Sequence, residues 1–241
     1  MGNTMTFTWS QQRILVLSPH PDDEILGCGG LLHKAKAAGA EVFIQFLTVG
    51  HTTDRSSCLS SSPEERHIEI KQVAEYQQWD GWHIAFPGDE YHLRLDLIPR
   101  VELSNMVEQE SPLSIAKLRP TVVIAPHRTS YNQDHQAVAE AAHTAMRPSN
   151  ARLRHHPELV LSYEEAADQW RYDAAPMPNL LVELAEEDLD SKLGALQLYA
   201  TQIHEHPHTR SEQTLRSLAV LRGMQGGFAL AEAYHIMRCA A

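Results

Sequence analysis

Four short runs in this chain are mostly apolar: RILVLS at 13–18, EVFIQFLTV at 41–49, TVVIAPH at 121–127 and LVLSY after Glu158. Runs of this length and kind read as buried strands. Between them, apolar residues recur at helical spacing. From Asp23 to Ala38 they fall at Ile25, Leu26, Leu31, Leu32 and Ala35, with Gly39 placed to end a helix. Pro63 opens PEERHIEIKQVAEYQQW, at a position where the missing N–H of proline costs nothing.

The pattern continues along the chain. HTTDRSSCLSSS reads as a polar loop, 82–86 as a short strand and FPGDEYHLRLD as a loop. Residues 97–118 read as helical with a break at Pro112, and Asn132 or Asp134 can cap a helix that runs to Met146. NLLVEL is a strand; helices over 186–201 and 211–224 flank a His-rich turn, and FALAEAYHI closes as a strand. Repeated alternation of strand and helix is the pattern of a parallel sheet covered on both faces. With no repeat, linker or composition shift, the expectation over residues 1–241 is a single-domain, Rossmann-like α/β fold, its sheet mostly parallel and flanked by helices on both faces.

In such a sheet, ligands collect beyond the carboxyl ends of the strands. The first run delivers His20, Pro21, Asp22, Asp23 and Glu24 to that edge. Three consecutive carboxylates beside a core repel one another and call for a positive partner. The third long run delivers His127, then Asp134 and His135 at the start of the next helix. Zinc in a hydrolytic site takes three mixed His and carboxylate ligands and leaves a position for water. His20, Asp23 and His135 would make such a set, with Asp22 beside the water as proton acceptor and then donor.

PHPDDE after a first strand, with QDHQAV opening a later helix, resembles the PIG-L/LmbE-like zinc-dependent de-N-acetylases. That family removes acetyl groups from N-acetylglucosamine-type conjugates. PEERHIEI and the tail KLGALQLYATQIHEHPH extend the resemblance over nearly the whole chain. It implies zinc on His20, Asp23 and His135, with Asp22 as general base and acid. It also implies substrate contact by Arg66 and an acidic neighbour of the last ligand in Asp134. Iron, cobalt or manganese would suit the same ligands. Well-known members carry His three residues before the last ligand, assigned to the oxyanion; this chain carries Asn132. The oxyanion role then falls to Asn132, whose amide can donate a hydrogen bond, to the metal, or to a histidine such as His127.

Plainer readings stand beside these. Asp22 and Asp23 could merely cap a helix. Arg66 without the family is a surface charge on an acidic helix. GCGG at 27–30 lets a helix approach the sheet, HEHPH at 204–208 is a loop near the pocket mouth, and the pairs Glu164–Glu165 and Glu186–Glu187 are solvated faces. Trp79, Trp82 and Trp170 read as core or rim, and the loops 51–62, 87–96 and 164–178 as the seat of specificity.

A net charge of −11 argues against nucleic acid or an anionic membrane as partner, but not against a small anionic substrate. No window approaches a membrane span. The N-terminus lacks a secretory h-region, although Gly2 and Thr6 match the myristoylation pattern. Cys28, Cys58 and Cys239 show no zinc-binding spacing and read as reduced thiols of a cytoplasmic protein. The expected activity is removal of an N-acetyl group from an amino sugar or similar conjugate, with a homo-oligomer left open. The rivals are a phosphoesterase or other amidase on the same carboxylates, and a non-catalytic binding protein stabilised by its metal.

Overall fold

A computed structural model describes residues 7–54, 59–170 and 177–240. Gly2, Thr6 and Cys58 lie outside them. The elements run β1 (Arg13–Ser18), α1 (Asp23–Ala37), β2 (Glu41–Val49), β3 (Thr52–Asp54), β4 (Leu59–Ser61), α2 (Pro63–Tyr76) and β5 (Gly81–Pro87). There follow α3 (Arg100–Asn105), α4 (Ile115–Leu118), β6 (Val122–Pro126), α5 (Gln133–Ala145) and β7 (Leu159–Tyr163). The chain ends with β8 (Leu180–Leu184), α6 (Glu186–Leu198), α7 (Glu212–Gly226) and β9 (Leu230–Cys239).

Seven strands form one sheet in the order β5-β2-β1-β6-β7-β9-β8. The first five are mutually parallel, and β9 runs antiparallel to both neighbours, β7 and β8. This is a mixed, mostly parallel sheet whose order reverses between β1 and β6, the place where an open α/β sheet leaves a crevice. Strand period two divides the core. Ile14 and Val16 pack with α1, α2, α6 and α7, while Leu15 and Leu17 pack with α3, α4 and α5.

Helix α1 is broken. Cys28 leaves helical geometry (φ −146°, ψ 15°). In a regular helix the Gly30 N–H would bond to the Leu26 carbonyl. Here Gly30 and Leu31 N–H donate to Glu232 Oε1 and Oε2 at 3.0 and 2.7 Å, and Lys192 Nζ donates to Leu26 O at 2.8 Å. Lys192 and Glu232 themselves meet at 2.7 Å, so one buried ion pair splices the two halves. The GCGG stretch does allow close approach: a Cβ at Gly27 would fall 2.3 Å from Tyr163 Cδ2.

Two expectations change. The polar stretch at 51–62 contains the antiparallel strand pair β3 and β4. Residues 97–118 form short pieces, with a π-helical turn over Met106–Glu110 and an irregular link to α4. That link surrounds Pro112, which cannot continue a helix.

Candidate metal centre

The crevice between β1 and β6 gathers the residues that the sequence separates. β1 ends in the buried turn His20–Pro21–Asp22. On the β6 side, Asn132 caps α5, its Oδ1 accepting from Asp134 N at 2.9 Å, which puts Asp134 and His135 in the first helical turn. His20, Asp23 and His135 are all buried, and their ligand atoms lie within 4.8 Å of one another. One oxygen, Asp23 Oδ2, faces His20 Nδ1 at 3.3 Å and His135 Nε2 at 3.1 Å. The same oxygen accepts from His20 N at 2.9 Å. The far side of the His20 ring is held by Asp134, Nε2 to Oδ2 at 2.8 Å, and Leu95 N–H donates to the other Asp134 oxygen at 2.9 Å.

Asp22 stands beside this set in a strained backbone conformation, φ 102° and ψ −30°, a region that side chains other than glycine rarely adopt. Its carboxylate lies 3.3 Å from Arg210 Nε and 3.9 Å from Arg66. Burial raises the Asp22 pKa against the opposing pull of Arg210 and Arg66. Burial would also raise Asp23, but His135 and His20 hold it well below the usual carboxylate range. Burial, with Asp22 and Asp23 nearby, leaves Glu24 pushed up to about 8, against the opposing hydrogen bond that Tyr199 Oη donates to it at 2.6 Å. Burial lowers His20, and hydrogen bonding to Asp134 and Asp23 reverses this, to about 9.

Acid is in surplus here. Asp22, Asp23, Glu24, Asp134, Glu165 and Asp168 are buried together, and Asp22 Oδ2 and Glu165 Oε1 have no hydrogen bond among the described residues. Burial and the neighbouring Asp23, Asp168 and Asp22 push Glu165 well above the ordinary value. A divalent cation would relieve that imbalance, and a His/Asp/His donor set suits one. The set borders a cleft of about 250 Å3 lined by Tyr131, Asn132, Glu165, His204, His208 and Arg210, among others. Three protein donors at an open cleft leave room for water and substrate, unlike a closed structural site. No second cluster of three such ligands occurs among the described residues, so a dinuclear centre has no support there.

The remaining residues singled out above are placed less uniformly. Arg66 is buried: it reaches Glu69 at 2.6 Å, Thr201 at 3.2 Å and the Pro21 carbonyl, over the ring of Tyr199. It is therefore neither a surface charge nor part of the cleft lining; it braces the turn that carries Asp22. His127 lines a different cavity of about 450 Å3, its ring 4.3 Å from that of His235. HEHPH does reach the cleft through His204 and His208. Glu164 and Glu165 are not solvated: Glu164 pairs with Arg222 and Glu165 faces the metal set, whereas Glu186 and Glu187 are exposed. Reading from sequence missed Arg210 and Glu165. For Glu165 a signal existed, since an acidic pair directly after a buried strand repeats the HPDDE situation.

Among known proteins, the family model for PIG-L, GlcNAc-PI de-N-acetylase, matches residues 15–146. The chain is similar to the uncharacterized deacetylase YaiS of Escherichia coli K12, 28% identical over 185 residues, 76% of this chain and 88% of that one. It is also similar to diacetylchitobiose deacetylase of Thermococcus kodakarensis, 24% identical over 227 residues, 92% of this chain and 81% of that one. A solved structure of GalB, the 4-carboxy-2-hydroxymuconate hydratase of Pseudomonas putida KT2440, matches with a TM-score of 0.69 at 17% identity, over 96% of this chain and 98% of that one. The last likeness shows the fold alone, and one fold carries more than one reaction.

Proposed function

The chain belongs to the PIG-L family of GlcNAc-PI de-N-acetylases, and from that premise we propose that it is a zinc-dependent deacetylase acting on the N-acetyl group of an amino sugar or similar conjugate. The observation that carries the reading is the convergence on one Asp23 oxygen of ring nitrogens from the turn after β1 and the first turn of α5, with Asp22 alongside. His20, Asp23 and His135 would hold the cation; zinc is the family default, and iron, cobalt or manganese would accept the same donors. When bound, such a cation polarises an amide carbonyl and acidifies a water molecule.

The chain's own residues do the rest. Asp22 takes a proton from the attacking water and passes it to the amide nitrogen as acetate leaves. Arg66 and Arg210 flank its carboxylate and hold it in place beside the metal set. Asp134 fixes the His20 ring. Asn132 spends its Oδ1 on the helix cap, and its amide N–H groups remain as donors to the developing oxyanion. His127 takes no part in this reading, because its cavity is a separate one. Nor does Arg66 meet substrate; Arg210, which lines the cleft, is the cation set to meet an anionic substituent.

The amino-sugar preference is supported by the name of the Thermococcus relative and by a cleft rich in hydroxyl, amide and imidazole groups. We place the protein in the cytoplasm as a single domain over residues 1–241. Cys28 and Cys239 are free thiols, and no helix among the described residues is long and apolar enough to cross a membrane.

The test is acetate release by zinc-reconstituted protein from a panel of N-acetylglucosamine conjugates. Asp22→Asn should bind zinc as the wild type does and lose activity by roughly 10²–10⁴-fold. A metal-loaded wild type that releases no acetate from any of them would defeat the amino-sugar reading. Full activity in the variant would remove Asp22 from its role.

A further inference from the structure

The two histidines of the metal set are held differently. His20 turns Nδ1 toward Asp23 and gives its other nitrogen to Asp134 at 2.8 Å. His135 turns Nε2 toward Asp23, and its Nδ1 makes no hydrogen bond among the described residues. Glu165 Oε1 makes none either. The two atoms lie 4.0 Å apart, in residues only 4% and 6% exposed.

A ring nitrogen that offers its lone pair to a cation leaves the other nitrogen carrying the proton, and a buried N–H needs an acceptor. Among the described residues, the carboxylate that pairs with His135 Nδ1 is that of Glu165, at 4.0 Å. Its place at the end of β7 is fixed by its own N–H to Asp168 Oδ2 at 3.3 Å and by Asp168 N–H to its carbonyl at 3.1 Å. Closing from 4.0 Å to an ordinary charge-assisted hydrogen bond requires a movement of about 1 Å.

We infer that Glu165 is the positioning residue of His135: its carboxylate accepts a hydrogen bond from Nδ1–H when a cation engages Nε2, and so fixes the ring as Asp134 fixes that of His20. The inference rests on the metal-site reading above and adds which carboxylate serves the second histidine. The two histidines, one after β1 and one in α5, then carry two independent supports, one from α5 and one from the end of β7. Glu165 acts through His135, so its effect belongs to metal binding before any substrate is present.

The experiment titrates cobalt(II) into metal-free wild type, Glu165→Gln, Glu165→Asp and, for scale, Asp134→Asn. Affinity is read by chelator competition and ligand field by visible absorption. Glu165→Gln should bind cobalt roughly 10–100-fold more weakly than wild type, as should Asp134→Asn, with an altered visible band. Glu165→Asp keeps the charged acceptor that Gln replaces with a neutral amide oxygen, and should recover part of the loss. In the zinc-loaded wild type, nitrogen–proton correlation spectra should show a protected proton on His135 Nδ1 that exchanges faster in Glu165→Gln, where only a neutral acceptor remains. Wild-type affinity and an unchanged band in Glu165→Gln would overturn the inference. Should that variant fail to fold, a His135 Nδ1 proton that exchanges freely in the wild type would overturn it equally. A wild type that takes up no cobalt would instead strike the metal site itself, and all four proteins would then behave alike.

Discussion

Replacing Lys192 with methionine tests how α1 is held together across its break. The substitution keeps most of the side-chain volume and removes the ammonium that bonds Leu26 O at 2.8 Å and Glu232 Oε1 at 2.7 Å. Glu232 is then left charged and buried, though still supported by Gly30 N–H, Leu31 N–H and Tyr234 Oη at 3.0, 2.7 and 2.7 Å. Breaking a buried pair by removing one partner costs about 3–5 kcal/mol. The three surviving donors put this case near 3 kcal/mol, because a carboxylate with several hydrogen bonds is partly compensated. For a chain of 241 residues, that lowers Tm by roughly 6–12 °C. Circular-dichroism melts and urea midpoints would measure it, together with Glu232→Gln and the double variant. The double variant removes the uncompensated charge and should cost less than the two singles added, with a coupling of about 1–3 kcal/mol. A Lys192→Met loss under about 1 kcal/mol, or strictly additive singles, would refute the splice.

Other outcomes follow from the same structure. Gly27→Ala drives a methyl into the Tyr163 ring and should cost about 1–3 kcal/mol in a thermal melt; an unchanged Tm would show that the helix and sheet can part there. Arg210→Gln should raise KM for an anionic N-acetylated substrate and alter KM for a neutral one much less, as steady-state kinetics on a matched pair would show. Equal KM changes on both substrates would count against Arg210 as an anion contact. Zinc at one hundred times its Kd should stabilise the folded protein by about 2.7 kcal/mol over the chelated form, some 5–11 °C by calorimetry. Equal melts with and without zinc would mean that the native state holds no cation in preference to the unfolded one.

The sheet was legible in the sequence where strands are buried on both faces. RILVLS and EVFIQFLTV match β1 and β2 residue for residue, because continuous apolar runs bounded by Pro19 and Gly50 leave little choice. The antiparallel turn-back of β9 was not, since nothing local distinguishes a strand's direction. The metal set was legible because its residues cluster in two short motifs. Arg66 was misplaced and Glu165 overlooked for one reason: whether a lone charge is solvated depends on what packs over it. For Arg66 that is Tyr199 and Thr201, more than a hundred residues away. For Glu165 it is His135, on the helix that follows β6.

Asp22 holds a backbone angle, φ 102°, that a side chain makes unfavourable. Glycine would sit there without strain, which costs a non-glycine residue about 1–3 kcal/mol. The position therefore separates two optima that usually coincide. Exchange for glycine would relieve that torsion and at the same time strip Arg66 and Arg210 of the buried carboxylate they share. In the proposed reading that strain is carried by the very group that would move the proton, so torsion and chemistry fall on one residue.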